Sequence, residues 1–369
     1  MITSIILFLV VLAVLIFVHE LGHFSVAKLF GIRVDEFALG FPPKLWSFKK
    51  GETTYAINLI PFGGYVKIFG ENPDEDSISG PESKRSFVNQ PKYVQALVLI
   101  AGVASNVLFA WILFSGSLMS GLSAPVGYLD TASVKDAHVV VTDVLPGSPA
   151  AKAGLAAGDK IISVSSDYHT LSGPDLSVSA IQALIAESEG KPIDIRYDRS
   201  DQSNITTVIA TEGLISDKLA IGISMDMVGV LKEGPVRAII DGAKITGNVT
   251  SQTAVGLYQF FKNAIIGKAD FSQVAGPVGI VGYVGQAYSL GVLYLLAFTS
   301  LISINLAIIN LLPFPALDGG RLLFVIIESI KGTPIKPKVA NAVNSIGFAI
   351  LILLMIIVTY HDIAKLFVK

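Results

Sequence analysis

Ile2-Thr-Ser-Ile-Ile-Leu-Phe-Leu-Val-Val-Leu-Ala-Val-Leu-Ile-Phe-Val18-His19-Glu20-Leu21-Gly22-His23 is the stretch that decides the fold. Between Ile2 and Val18 no residue is charged, and only Thr3 and Ser4 interrupt the apolar side chains. Apolar residues then continue to Phe30, so a helix here is long enough to cross a hydrocarbon core of ~30 Å. Two imidazoles and a carboxylate sit inside that span. Ionisable groups at such depth cost on the order of 3 kcal/mol or more each and mark function.

Composition agrees with a membrane protein. Of 369 residues, 52% are hydrophobic and 15% charged, against ~25% charged in soluble domains. A net charge of -2 gives no basic footprint for nucleic acid. The absence of cysteine excludes a disulfide framework and Cys-ligated zinc. The first span lacks the positive n-region and cleavage site of a secretory signal, so it is expected to be retained.

Four stretches are expected to cross the bilayer: Ile2–Phe30, Val94–Met119, Leu290–Leu312 and Val343–Tyr360. The fold class is therefore a polytopic α-helical membrane protein with four transmembrane helices, a membrane-associated β-hairpin and an inserted α+β domain. An even number of spans puts both termini and the insert on one side. Arg33, Lys44, Lys49, Lys50, Lys67, Lys84, Arg85 and Lys92 crowd the first loop, and Arg321, Lys331, Lys336 and Lys338 the loop after span three. By the positive-inside rule these loops are cytoplasmic, and the termini and insert are extracytoplasmic.

The domains read as 1–122 (two spans with the His motif and a cytoplasmic hairpin loop), 126–228 (the insert), 229–289 (a membrane-surface segment) and 290–369 (two spans). In the insert, Val139–Val144, Ile161–Val164, Ile193–Tyr197 and Thr206–Thr211 alternate as strands, and Leu176–Glu189 has helical spacing. With Gly154-Leu-Ala-Ala-Gly158-Asp159, this order resembles a single PDZ domain over about Val126–Val228. Val236–Ile266 is amphipathic and is expected to lie on the membrane surface. In the first loop, Thr54–Leu59 and Tyr65–Phe69 alternate around Pro61-Phe-Gly63-Gly64 and predict a hairpin. The acidic run Glu71, Asp74, Glu75, Asp76 reads as a solvated loop.

On a helix, His19 and His23 are i and i+4 and share a face, so both can reach one ion. Zinc with three protein ligands keeps a fourth position for water and lowers its pKa to about 7. Glu20 is placed to act as the base toward that water without being a ligand. Two histidines are too few. Asp318, in Asn310-Leu-Leu-Pro313-Phe-Pro315-Ala-Leu-Asp318-Gly-Gly320, is the best third ligand, an acid at matching depth held by a turn at Gly319 and Gly320. The chemistry implied is metal-assisted peptide hydrolysis. Gly102 and Asn106 have the spacing of close helix packing, while His138, His169 and His361 have no metal-spaced partner.

His19-Glu-Leu-Gly-His23, Pro61-Phe-Gly-Gly-Tyr-Val-Lys67, Gly102-x-x-x-Asn106, the PDZ-like insert, Gly276-Pro-Val-Gly-Ile280 and the Asn310–Gly320 segment together resemble the site-2 protease family, in its bacterial RseP-type branch. The resemblance implies zinc on His19, His23 and Asp318, with Glu20 as the catalytic base. It implies that Asn310, Pro313 and Pro315 hold substrate, although a turn that merely positions Asp318 explains the prolines nearly as well. Gly63 and Gly64 would belong to a hairpin edge that pairs with unwound substrate. It further implies a bacterial cytoplasmic (inner) membrane location. Implied substrates are transmembrane proteins already cut on the outer side, such as anti-sigma factors or remnant signal peptides. Two other classes remain open at this point: a metal transporter, and a non-enzymatic membrane scaffold presenting a PDZ domain.

Overall fold

The computed structural model describes residues 2–125, 134–199, 202–215, 218–268 and 275–367. Residues 126–133, at the start of the expected insert, lie outside them. The chain forms two compact units.

Unit one comprises Met1–Ser115, Gly242–Gly285 and Leu296–Ala364. Its elements begin with α1 (Ile2–Leu29), β1 (Val34–Lys50), β2 (Thr53–Ile68), α2 (Glu75–Ser79) and α3 (Lys92–Ser120). Unit two contains β3 (Leu122–Pro125), β4 (Val134–Val144), α4 (Pro149–Lys152), β5 (Lys160–Ser165), β6 (Thr170–Ser172), α5 (Val178–Glu187), β7 (Pro192–Arg199), β8 (Gln202–Ile209), β9 (Thr211–Ile215), β10 (Lys218–Ala220) and β11 (Ile223–Leu231). The chain ends with α6 (Pro235–Ile265), α7 (Pro277–Ser289), α8 (Val292–Leu311), α9 (Asp318–Lys331) and α10 (Pro337–Phe367).

Among the described residues, α1, α3, α8 and α10 are long and apolar enough to cross a membrane. Helix suits that setting because it satisfies every backbone polar group internally. Of the apolar window in α3, 44% is buried, against 6% in α10, so α3 is the enclosed helix and α10 turns its side chains outward. Helix α10 also starts at Pro337 and not at the expected Val343. Apolarity marks only the part of a helix in hydrocarbon, whereas Pro at a first helical position pre-sets the backbone for an earlier start.

In the first loop, the two runs expected to form a hairpin do reverse at Pro61-Phe-Gly-Gly64, since 53–58 pairs parallel to 36–41 and 64–68 antiparallel to it, but they do not pair with each other. A further hairpin turns at Gly51-Glu52. Strand β1 folds between the two halves of β2: Ala38 faces both Ala56 and Tyr65, and Leu39 both Ile57 and Gly64. Chain runs therefore lie in the order 44–50, 53–58, 36–41, 64–68. The run 64–68 is an edge, with no further strand beside it among the described residues. Phe37, Val66 and Ile68 bury the base of this sheet against Ala27, Val94 and Val98. At the other end Leu45, Trp46 and Phe48 are exposed, the apolar surface that marks a lipid or partner contact.

In unit two the strand order is β3-β11-β4-β5-β7-β8, with β6 on β5. Val139, Val141, Ile161, Ile181, Ile193 and Ile195 form its core. The Gly158-Asp159 turn has a specific reason: the fully buried Asp159 carboxylate accepts from the Ala156 N–H (2.8 Å) and from Arg199 Nε and Nη2 (2.6 and 2.7 Å). Such two-pronged pairing fixes geometry as well as energy. Between α5 and β11 lies a cavity of 690 Å³ lined by Gln182, Ile185, Ala186, Leu219, Ile221 and Ile223.

At the hairpin turn Glu52 bonds both Arg85 (2.8 Å) and Lys28 (2.6 Å), fastening the sheet to the end of α1. Arg85 first, and then Lys28, hold the Glu52 carboxyl down at about 2, from an ordinary 4.5. A depressed acid stabilises the fold above its unfolded pKa and loses that contribution as pH falls through the folded one. Hydrogen exchange of residues 34–68 in micelles, corrected for intrinsic rates, is expected to lose protection between pH 4.5 and about 2 in wild type. In Glu52→Gln that pH-dependent step is expected to be missing.

Candidate metal centre

Glycine contacts on two helices set the centre. A Cβ on Gly22 of α1 would strike Ala101 and Ser105 of α3, and one on Gly102 would strike the rings of His19 and His23. At Gly22 the helices approach closely, and at Gly102 the missing side chain leaves room for both rings, as small residues permit. The His19 and His23 rings project from one face of α1, edge to face, with centroids 4.8 Å apart. Both are buried.

Asp318 arrives from the far end of the sequence. Helix α8 stops at Leu311, ahead of Pro313 and Pro315, and the chain reverses with Ala316 at φ 73°. Asn344 Oδ1 accepts from the Ala316 N–H at 3.3 Å. Asp318 then opens α9. Gly319 and Gly320, expected to form a turn, are instead the first turn of this helix. Side chains there would collide with the carbonyls of Leu311, Leu312 and Phe314. Close approach of the two helix ends, and not a bend, is what demands glycine.

The resulting geometry is a tight triangle. Asp318 Oδ2 lies 3.0 Å from His19 Nε2 and 3.2 Å from His23 Nε2, and the two Nε2 atoms are 3.2 Å apart. A tetrahedral shell with zinc–ligand bonds of about 2.0–2.1 Å has edges of about 3.3 Å. Two imidazoles and a carboxylate are also the donors zinc favours, so the residues present fit this ion. Among the described residues no other cluster of three such side chains converges in this way. His23 Nδ1 donates to the Val98 carbonyl (2.8 Å), which fixes the tautomer that leaves Nε2 free.

Glu20 lines the same 250 Å³ cavity as the three ligand candidates. Its carboxylate accepts a hydrogen bond from the Val66 backbone N–H, on the edge run of β2. Gly64 of that run also lies against Glu20 and Ile16, whereas Gly63 packs against the Phe41 ring. Asn310 joins the centre, with Nδ2 3.4 Å from His19 Nε2. Pro313 and Pro315 do not line the cavity; Pro315 packs on Gly347 of α10.

One pair of residues escaped the sequence reading. Glu71, taken as part of a solvated loop, lines the cavity and forms an ion pair with Arg321, which is likewise part-buried. Arg321 is i+3 from Asp318 and so shares its face of α9. That spacing was a usable signal; its acidic partner, 250 residues away in sequence, was not.

With this centre in place, a comparison with known proteins is decisive: the model of peptidase family M50 matches residues 7–354. The chain belongs to that family, the site-2 proteases. A Clostridium perfringens relative carrying a zinc-metalloprotease name is 36% identical over 359 residues, covering 96% of this chain and 97% of the relative. Zinc metalloprotease RasP of Oceanobacillus iheyensis is 30% identical over 437 residues, covering 99% and 100%. RasP of Geobacillus kaustophilus is 29% identical, covering 99% and 98%. The protein is an intramembrane zinc metalloprotease, working in a lipid bilayer on membrane-protein substrates. The transporter and scaffold readings fall away.

Removing one member of this part-buried ion pair leaves the other without its partner in the cavity. Arg321→Met is expected to lower stability in micelles by about 1–2 kcal/mol, between exposed and fully buried pairs, and Arg321→Met with Glu71→Leu to recover most of that loss. Chemical unfolding of the single and double variants measures both.

Proposed function

We propose that His19, His23 and Asp318 hold the catalytic zinc and that Glu20 is the general base. The observation that carries this reading is the triangle of ligand atoms 3.0 to 3.2 Å on a side, with Glu20 in the same cavity. Bound there, zinc supplies Lewis-acid polarisation of the scissile carbonyl and acidifies a water. Glu20 takes the proton of the attacking water and returns it to the leaving amine. The bond it accepts from the Val66 N–H orients its carboxylate toward the cavity.

A helix must unwind before its peptide bonds can be attacked. The edge run 64–68, which Gly63 precedes and Gly64 opens, offers unpaired backbone for an extended substrate to add as a strand beside Glu20. Asn310 contacts substrate from the opposite helix end in this reading. Pro313 and Pro315 act with it chiefly by ending α8, which frees carbonyls and sets Asp318.

The insert is proposed to be a single PDZ domain, as in the RseP-type branch. The Gly158-Asp159 turn and the groove between α5 and β11 support this. Basic residues in the first loop support an orientation with that loop in the cytoplasm and both termini and the PDZ domain outside a bacterial inner membrane. The amphipathic α6, with Val236, Ile239, Ile240 and Tyr258 exposed, is proposed to rest on the membrane surface. Substrates would be membrane proteins already shortened on the outer side, anti-sigma factors or remnant signal peptides among them.

Purified in detergent, Glu20→Gln is expected to keep stoichiometric zinc while cleavage of a transmembrane peptide falls by about 10²- to 10⁴-fold. Asp318→Asn is expected to lose the metal. Zinc retained in full by Asp318→Asn would remove the proposed ligand set. Deleting residues 126–228 is expected to relax substrate selectivity yet leave cleavage of a short helical substrate intact. Complete loss of cleavage by a stable, zinc-loaded deletion contradicts the selectivity role.

A further inference from the structure

We propose that Asn106 is the positioning residue for His19, its carboxamide oxygen accepting the Nδ1–H bond that leaves Nε2 free for zinc. The inference rests on the ligand set proposed above and extends it to α3. Asn106 is fully buried, and its Nδ2 lies 3.2 Å from His19 Nδ1. Its Oδ1 is buried and has no hydrogen-bond partner among the described residues. The Asn106 backbone is itself tied down, since Ser303 Oγ of α8 donates to its carbonyl at 2.8 Å.

Tautomer chemistry turns these contacts into a role. An imidazole that gives Nε2 to a metal carries its proton on Nδ1, and a buried N–H needs an acceptor. For His23 that acceptor is the Val98 carbonyl, 2.8 Å away. For His19 the group within reach of Nδ1 is the Asn106 carboxamide. With the amide nitrogen turned toward Nδ1, the ring holds its proton on Nε2, directed at Asp318 Oδ2 at 3.0 Å. A half-turn of the carboxamide exchanges nitrogen for oxygen in nearly the same volume. The unpartnered oxygen then accepts from Nδ1, and Nε2 is released.

Helix geometry makes this arrangement regular. Val98, Gly102 and Asn106 are successive i, i+4 positions and lie along one face of α3. His19 and His23 lie along one face of α1. Val98 serves His23, Asn106 serves His19, and Gly102 between them leaves room for both rings. The Gly102-x-x-x-Asn106 spacing, expected to mark helix packing ahead of any role in catalysis, places an acceptor for the metal site as well.

Zinc titration against a chromophoric chelator in micelles tests the role, with cobalt(II) absorption as a second readout of the ligand field. Asn106→Leu is expected to weaken zinc affinity about 10- to 100-fold and to shift the cobalt(II) spectrum. Its metal-free helicity and unfolding midpoint are expected to match wild type. Asn106→Asp, which keeps an acceptor of the same size, is expected to bind at least as tightly as wild type. Wild-type affinity in Asn106→Leu overturns the proposal. Should that variant fail to fold, Asn106→Asp decides: weakened affinity overturns the role, and retained affinity with a shifted spectrum supports it. His19→Ala separates the two levels of inference. If it binds zinc normally, the ligand set itself fails; if it loses zinc while Asn106→Leu does not, only the role of Asn106 fails.

Discussion

One carboxylate oxygen, on Asp318, meets the imidazole nitrogens of His19 and His23 across a sequence separation of 299 residues from the first of them. Three polar groups in an apolar setting can be tolerated only if they satisfy one another or a shared ion. Much of the surrounding structure serves that need. Gly22 brings α1 close to α3, Gly102 leaves room for both rings, Gly319 and Gly320 let α9 begin against the end of α8, and Asn344 braces the reversal between them. None of these residues needs to touch substrate to be indispensable.

The cavity beside this centre is polar where the chain around it is not. Glu20 is held by a backbone N–H of a sheet edge, and the Glu71–Arg321 pair joins the segment after that sheet to the helix that carries Asp318. A protease within a bilayer must admit water and an extended peptide together, although hydrocarbon favours neither. The edge run 64–68 carries unpaired backbone, which an extended peptide can join in general. A paired arginine and glutamate line the same cavity, each ion compensated by the other.

Legibility in the sequence followed the range of the physics. Four spans were readable because a hydrocarbon core demands apolar length, a property of contiguous residues. His19, Glu20 and His23 were readable because one helical turn joins them. Asp318 was nominated by depth, and its Oδ2 lies 3.0 Å from His19 Nε2. Less was visible where meaning depends on a distant partner. Glu71 looked like one of four acids in a loop until Arg321 faced it, and Asn106 looked like a packing residue until His19 did. The reversal at Pro61, Gly63 and Gly64 was readable because those residues form turns locally, whereas the insertion of run 36–41 between its two arms was not, because that pairing is long-range.

What the sequence determined by itself was the solvent and the reagent: a bilayer, and two histidines with a glutamate at the spacing of one helical turn. Both are short-range consequences of composition and helical period. The tertiary structure decided how Asp318 meets both imidazoles, which groups of α3 lie beside each ring, and which strand edge lies beside Glu20. Those choices rest on contacts of about 3 Å between residues far apart in the chain. No local pattern encodes them, because the energy that selects them exists only once the helices have packed.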